Sequence, residues 1–364
     1  MNFIKNLFGK KTEAIKSYED FWNWFRANER PFFNVIKNRG DFEQVFFDKL
    51  SPKLNELKQG FFYLVGMVGE HTCELVITAD GTIKNIVFVE ELVNSAPKID
   101  GWKFTALKPA MDIKGVDIQM AGHKFNSDSL SFYPIEHATY PDEIDLTIVY
   151  NDYTEENRNN IVIGTNIFLE NYLGELELVE MIDNLSIIGK DNAKNELIPI
   201  SKLKDYLHWR QKEFIERYEG VRRDTEDDSH GSYSATLENG NPALAIINTD
   251  VLSWEAKASH PWILSIEIKY DGENHNGMPD DDDYKLLGEI EDSISENLKD
   301  LDGYINIGRE TADSTRQIYF ACREFRKPSK TLEQIKSAYS NRLNIDYDIY
   351  KDKYWQTFNR YNQV

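Results

Sequence analysis

The stretch WILSIEIKYDGENHNGMPDDDDYKLLGEIEDSISENL, Trp262 to Leu298, changes its period partway along. Its first nine residues alternate as a half-buried strand does. Further on, Leu287, Ile290, Ile294 and Leu298 fall three and four apart, which predicts a helix with one buried stripe. Between them, Asp271–Tyr284 crowds six acidic side chains and two glycines into fourteen residues. Asn276-Gly277 supplies a turn there. Pro279 suits the first helical position, where its fixed φ helps and its missing N–H costs nothing.

The same punctuation continues on both sides. Upstream, SYSATLENGNPALAIINT (232–249) reads as a hairpin turning at Asn239-Gly240. Downstream, GYINIGRE (303–310) and RQIYFACRE (316–324) read as strands, KTLEQIKSAYSNRL (330–343) as a helix and NIDYDIY (344–350) as a last strand. The order is strand, helix, strand, strand, helix, strand after an initial hairpin. Right-handed crossovers would place both helices on one face of a single antiparallel sheet. In DKYWQTFNRY (352–361), Trp355, Phe358 and Tyr361 at helical spacing predict a terminal helix packed on that sheet. The expected fold class is α+β in two domains, the C-terminal one ferredoxin-like.

NGMPDDDDYKLLGEIEDSISENL (276–298) and GYINIGRETADSTRQIYFACRE (303–324) resemble the bacterial family called domain of unknown function 695. That family shows an Asn-Gly-x-Pro turn before an acidic helix, then a Gly-Arg-x-Thr … Tyr-Phe strand pair. The matching positions are Asn276, Gly277, Pro279, Glu291, Asp292, Gly308, Arg309, Thr311, Tyr319 and Phe320, and the resemblance covers roughly residues 230–360. It implies a fold and no activity. The order of elements is also similar to that of the regulator of ribonuclease E activity B, an inhibitory binding protein.

Four segments follow from the rest of the chain. Residues 1–16 form a basic amphipathic segment, with Phe3, Ile4, Leu7 and Phe8 on one face among lysines, capable of resting on an anionic lipid surface. Residues 17–220 form an α+β domain: Ser17–Asp20 opens an aromatic helix, a second helix carries Pro52 and ends at Gly60, and FFYLVGMV and HTCELVITAD are strands. Further strands are expected near 115–120, 129–133 and 143–150, with helices from Thr154 to Gly174 and after Ser201. The aromatic group Phe21, Trp22, Trp24, Phe25, Phe32 and Phe33 is expected to be buried between helices. Residues 221–232, almost entirely charged or small, read as a linker. Residues 233–364 are the ferredoxin-like domain.

The 364 residues carry 62 acids against 42 bases, a net charge of −20. Such a surface repels phosphate backbones, so a nucleic-acid partner is not expected, whereas a basic protein partner is. Cys73 and Cys322 sit singly in apolar runs, which predicts reduced, buried thiols and a cytoplasmic location. No apolar run has transmembrane length. Nucleophile elbows, His-Glu-x-x-His, paired Cys-x-x-Cys and phosphate-cradling glycine loops are all missing from the sequence, so no catalytic residue and no cofactor is assigned.

The charge itself is concentrated. From residue 221 onward there are 27 acids and 17 bases; the window Asp271–Asp302 alone holds 12 acids and 2 bases, the whole imbalance of the domain. A helix start uses one or two carboxylates on its free N–H groups, not four. Asp280, Asp281, Asp282, Asp283, Glu291 and Asp292, expected to lack a compensating base nearby, are the candidate partner-binding residues. A calcium loop starting at Asp271 fails its register, because glycine falls at the seventh position rather than the sixth. Asp271, Glu273, His275 and Asp280 remain as an alternative metal set. The expected function is a non-enzymatic acidic binding or regulatory protein, of inhibitor or immunity type, engaging a basic protein. The alternative is a metal-dependent hydrolase with an acidic site near the domain junction.

Overall fold

In the computed structural model, which describes residues 14–361, Ser17 caps the first helix, α1 (Tyr18–Lys37), its Oγ accepting the backbone N–H of Asp20 at 3.1 Å. The expected amphipathic segment lies almost wholly outside the described residues. The chain forms two compact units, Met1–Pro109 and Ala110–Val364. It is a mixed α+β structure with several sheets, and among the described residues no helix is long and apolar enough to cross a membrane.

In the first unit, α1 is followed by a π-helical turn, Glu43–Phe47, and by α2 (Asp48–Leu57), inside which Pro52 lies. Strands β1 (Phe62–Val68) and β2 (Thr72–Thr78) form a hairpin, and α3 (Ile83–Asn94) crosses over to β3 (Trp102–Ala106), which runs parallel to β2. Phe21, Trp22, Phe25 and Phe32 are buried and Trp24 and Phe33 half-buried. Part of that aromatic face packs on the sheet as well as between helices. Phe25 meets Trp102 edge-on at 4.9 Å between ring centres, Trp22 meets Phe104 at 4.5 Å, and the Trp22 indole N–H donates to Leu92 O at 2.8 Å.

The second unit begins with the small hairpin β4 (Ile118–Met120) and β5 (His123–Phe125), then β6 (Leu130–Ile135) and β7 (Asp145–Tyr150). Helices α4 (Arg158–Leu173) and α5 (Glu175–Met181) lead to β8 (Asn184–Gly189), and β9 (Ile198–Pro199) precedes α6 (Leu203–Tyr218). The sheet order is β8-β7-β6-β9, with β8 parallel to β7 and the other pairs antiparallel. Phe125, Phe132, Ile148, Phe168 and Leu207 lie in its core. The compact units divide at Pro109, and the segment expected as a linker, 221–232, lies inside the second unit. It is fastened there: Thr225 donates its N–H and hydroxyl to Asp300 Oδ2, both at 2.8 Å, and Arg223 pairs with Asp228.

Next come β10 (His230–Thr236), β11 (Pro242–Asn248), the short α7 (Thr249–Leu252), β12 (Trp262–Lys269) and α8 (Asp281–Asn297). The chain then runs through β13 (Tyr304–Ala312), β14 (Thr315–Cys322), α9 (Arg326–Tyr339) and β15 (Asn344–Lys351). All six strands form one antiparallel sheet in the order β10-β11-β13-β14-β12-β15. Helices α8 and α9 pack on each other, burying Leu287, Ile290, Ile294, Leu332 and Ile335. The opposite face carries Ile263, Ile305, Ile307, Tyr319 and Ala321, covered by Trp355 and Phe358.

Two local expectations are corrected. The C-terminal segment is a 3-10 turn, Gln356–Tyr361, rather than an α-helix. Trp355 has φ +55, and the Asp352 carboxylate takes the N–H groups of Gln356 and Thr357 at 2.8 and 2.9 Å, which together hold a tight turn. Pro279 precedes the helix cap instead of starting the helix, because the Asp280 carboxylate, by accepting the N–H groups of Asp282 and Asp283, makes Asp280 the cap.

Candidate functional site

At the acidic helix start the turn residues serve the scaffold. Asn276 and Gly277 both have positive φ, +54 and +79, and the buried Tyr270 hydroxyl donates to Gly277 O at 2.8 Å. A Cβ on Gly277 would lie 2.9 Å from the Cα of Asp313, so only glycine lets this loop sit against the β13–β14 turn. Asp280 Oδ1 accepts from Asp282 N at 3.0 Å and Asp283 N at 2.8 Å. Asp281 and Asp282 are exposed and Asp283 is half-buried. Partial burial, and after it the neighbouring charges of Asp280, Asp271 and Asp282, raise the Asp283 pKa.

Glu291 departs from the expectation that it lacks a nearby base. Both its oxygens accept from Arg309 Nη1 at 2.8 Å, and Arg316 Nη1 stands 4.0 Å away. Arg316 is buried and donates Nε–H to Thr311 Oγ1 at 3.1 Å; burial, reinforced by Arg309, lowers its pKa. The pairing depends on a β-bulge between Asn306 and Gly308. Ile305 and Ile307 both face Trp355, and past the bulge Arg309 stands opposite Ile318 and meets α8 instead. Asp292 is exposed. Asp271, Glu273, His275 and Asp280 are all exposed and do not gather into a group able to hold an ion.

A denser set of polar groups, not singled out by the sequence, forms elsewhere in the second unit. It joins the loop before β7, the entry to β8, the end of α6 and the end of β15. Buried Asp142 accepts from Arg217 Nη1 at 2.6 Å, the Tyr218 hydroxyl at 2.7 Å and the Tyr354 hydroxyl at 2.6 Å. Asp183 accepts from Ile144 N at 2.6 Å and Lys353 Nζ at 2.7 Å, and Lys351 Nζ lies 3.0 Å from its other oxygen. Lys351 also donates to Glu180 O at 2.6 Å and Lys353 to Asp142 O at 2.7 Å. Burial alone would raise the Asp183 pKa; Lys351 and then Lys353 outweigh it and hold the carboxyl below its ordinary value. Burial pushes Lys351 down to about 8, against the pull of Asp183.

That shift sets a pH dependence. Between about pH 8 and the ordinary lysine value of 10.5, the unfolded chain keeps a proton on residue 351 that the folded chain has released. Stability from this group therefore rises with pH across that window, by at most about 1.4 kcal/mol per pH unit. In urea unfolding, the wild type is expected to gain stability relative to Lys351→Met as the pH climbs from about 8. A constant difference between the two proteins would refute the assignment.

Beside this network, His137 Nε2 lies 2.8 Å from Asp145 Oδ2. Glu143 Oε1 accepts from Gln356 Nε2 at 2.7 Å, and Asp145 Oδ1 accepts from Asn184 Nδ2 at 2.8 Å. His137, Glu143 and Asp145 each bring one ligand atom within 4.8 Å of the others, the one such group among the described residues. Burial, then Asp145 and Asp183, raise the Glu143 pKa. A cavity of about 470 Å³ adjoins, walled by His137, Glu143, Tyr206, Trp209, Arg210 and Arg217. One sequence signal pointed here: a histidine and three acids within nine residues, His137–Asp145, just before a strand.

Residues 231–361 match the family model described as a family of unknown function (DUF695), and the N-terminal half matches no family. No curated protein and no solved structure matches the chain.

Proposed function

We propose that the chain is a non-enzymatic cytoplasmic binding protein, of inhibitor or immunity type, whose ferredoxin-like C-terminal domain docks a basic protein partner on the outer side of α8. What carries this reading is the division of labour among the acids, with Asp283 half-buried and set aside. The fold uses Asp280 as the cap and Glu291 as the partner of Arg309. Asp281, Asp282 and Asp292 remain in solvent, and among the described residues the one ion pair any of them makes is Asp282 with exposed Lys285 at 3.5 Å. Exposed pairs of that kind contribute little, so the carboxylates stay open to a cationic surface. The strand order β13-β14-β12-β15, antiparallel throughout with α8 and α9 packed together, supports the ferredoxin-like assignment. A hydrolase built on Asp271, Glu273, His275 and Asp280 has no such support, since those four stay apart.

Affinity capture from lysate at low salt, with the wild type and an Asp281→Asn/Asp282→Asn/Asp292→Asn variant side by side, tests the reading. A specific basic partner should be retained by the wild type, lost by the variant and released as salt rises. Capture indifferent to both salt and these three charges would sink it.

A further inference from the structure

We propose that His137, Glu143 and Asp145 bind a divalent transition-metal ion of the Zn2+ or Mn2+ class. The ion would be held at the mouth of the cavity walled by Tyr206, Trp209, Arg210 and Arg217. Three of the basic groups nearby are already matched. Arg217 is on Asp142, and Lys351 and Lys353 are both on Asp183. Glu143 is 7% exposed, yet among the described residues its side chain has only the neutral Gln356 amide as a hydrogen-bond partner and no ion pair. A carboxylate so far out of water without a cation is costly, and a bound cation removes that cost.

The neighbours are arranged as outer partners of metal ligands usually are. Gln356 fixes one oxygen of Glu143, and Asn184 fixes Asp145 Oδ1, leaving Oδ2 toward His137. One imidazole nitrogen with two carboxylates favours Zn2+ or Mn2+ over Ca2+ or Mg2+, which prefer oxygen donors alone. Binding exchanges a single hydrogen bond, that between His137 and Asp145, for three ligand bonds.

The test uses the full chain stripped with chelator and titrated with Zn2+, Mn2+ and Ca2+ by calorimetry and equilibrium dialysis, with thermal melts alongside. The expected result is one Zn2+ or Mn2+ per chain with a raised Tm. His137→Gln and Asp145→Asn should each weaken that affinity by at least about tenfold, while His275→Gln leaves it unchanged. Should either variant misfold, histidine-ring NMR of the wild type during Zn2+ addition decides: His137 must respond first and alone. No stoichiometric uptake, preference for Ca2+, undiminished binding by a folded His137→Gln, or a first response at another histidine would each overturn the proposal.

Discussion

Asp183→Ala is expected to destabilise the protein by about 3–5 kcal/mol, because it strips the carboxylate they share from two buried ammonium groups. The side chains of Lys351 and Lys353 are 9% and 3% exposed, so neither can rehydrate without opening the structure. Each keeps a carbonyl, Glu180 O and Asp142 O respectively, but a carbonyl accepts a hydrogen bond without neutralising a charge. Urea unfolding followed by tryptophan fluorescence measures the loss. Adding Lys351→Met and Lys353→Met to the alanine variant should recover much of it, since removing an ion cluster outright costs far less than orphaning part of it. A single-variant loss under about 1 kcal/mol would mean that water reaches the lysines and the cluster holds nothing.

This cluster was illegible in the sequence for a plain reason. Asp183 and Lys353 are 170 residues apart, and no spacing rule links a strand entry to the end of another sheet. His137, Glu143 and Asp145 were nearer one another, but a lone histidine carries no pattern that distinguishes a ligand from a surface residue. The six-stranded sheet is readable, because β12 and β15 alternate, β14 is a short apolar run between turns, and α8 shows a complete buried stripe. By contrast α5 and β8 carry no such signal. Gly174, with φ +85, ends one helix and begins the next, and β8 takes its pairing from β7, which runs parallel to it and lies far off in sequence. Strand parity gives no help at Arg309 either. Counting by two along β13 puts Arg309 with Ile305 and Ile307, away from α8, and the bulge moves it to the other face. Glu291 therefore looked unpaired from helix spacing alone, while its partner waited on a strand whose phase had shifted.

Gly308→Ala tests that phase shift, and its expected cost is comparable to that of Asp183→Ala. Gly308 has φ +145, a conformation that strains any residue with a side chain by roughly 1–3 kcal/mol. A Cβ there would collide with the carbonyl oxygen of Ile246 and lie 2.8 Å from the Ile247 Cα. Those are backbone atoms of the paired strand β11, so no side chain can swing aside, and the overpacking adds roughly another 1–3 kcal/mol. Relief requires losing the bulge or parting β11 from β13. Losing the bulge would turn Arg309 back toward Trp355, leaving Glu291 with Arg316 alone at 4.0 Å. Urea unfolding of Gly308→Ala beside Arg309→Ala separates the two effects: the glycine variant should lose more, because it disturbs strand pairing as well as the ion pair. Equal stability of Gly308→Ala and wild type would show that the bulge is dispensable. If the glycine is as costly as its geometry implies, the Gly-Arg-x-Thr segment is accounted for by holding β13 against α8. A partner docked on α8, as proposed, would then meet acids that the fold leaves in solvent, Asp281, Asp282 and Asp292 among them.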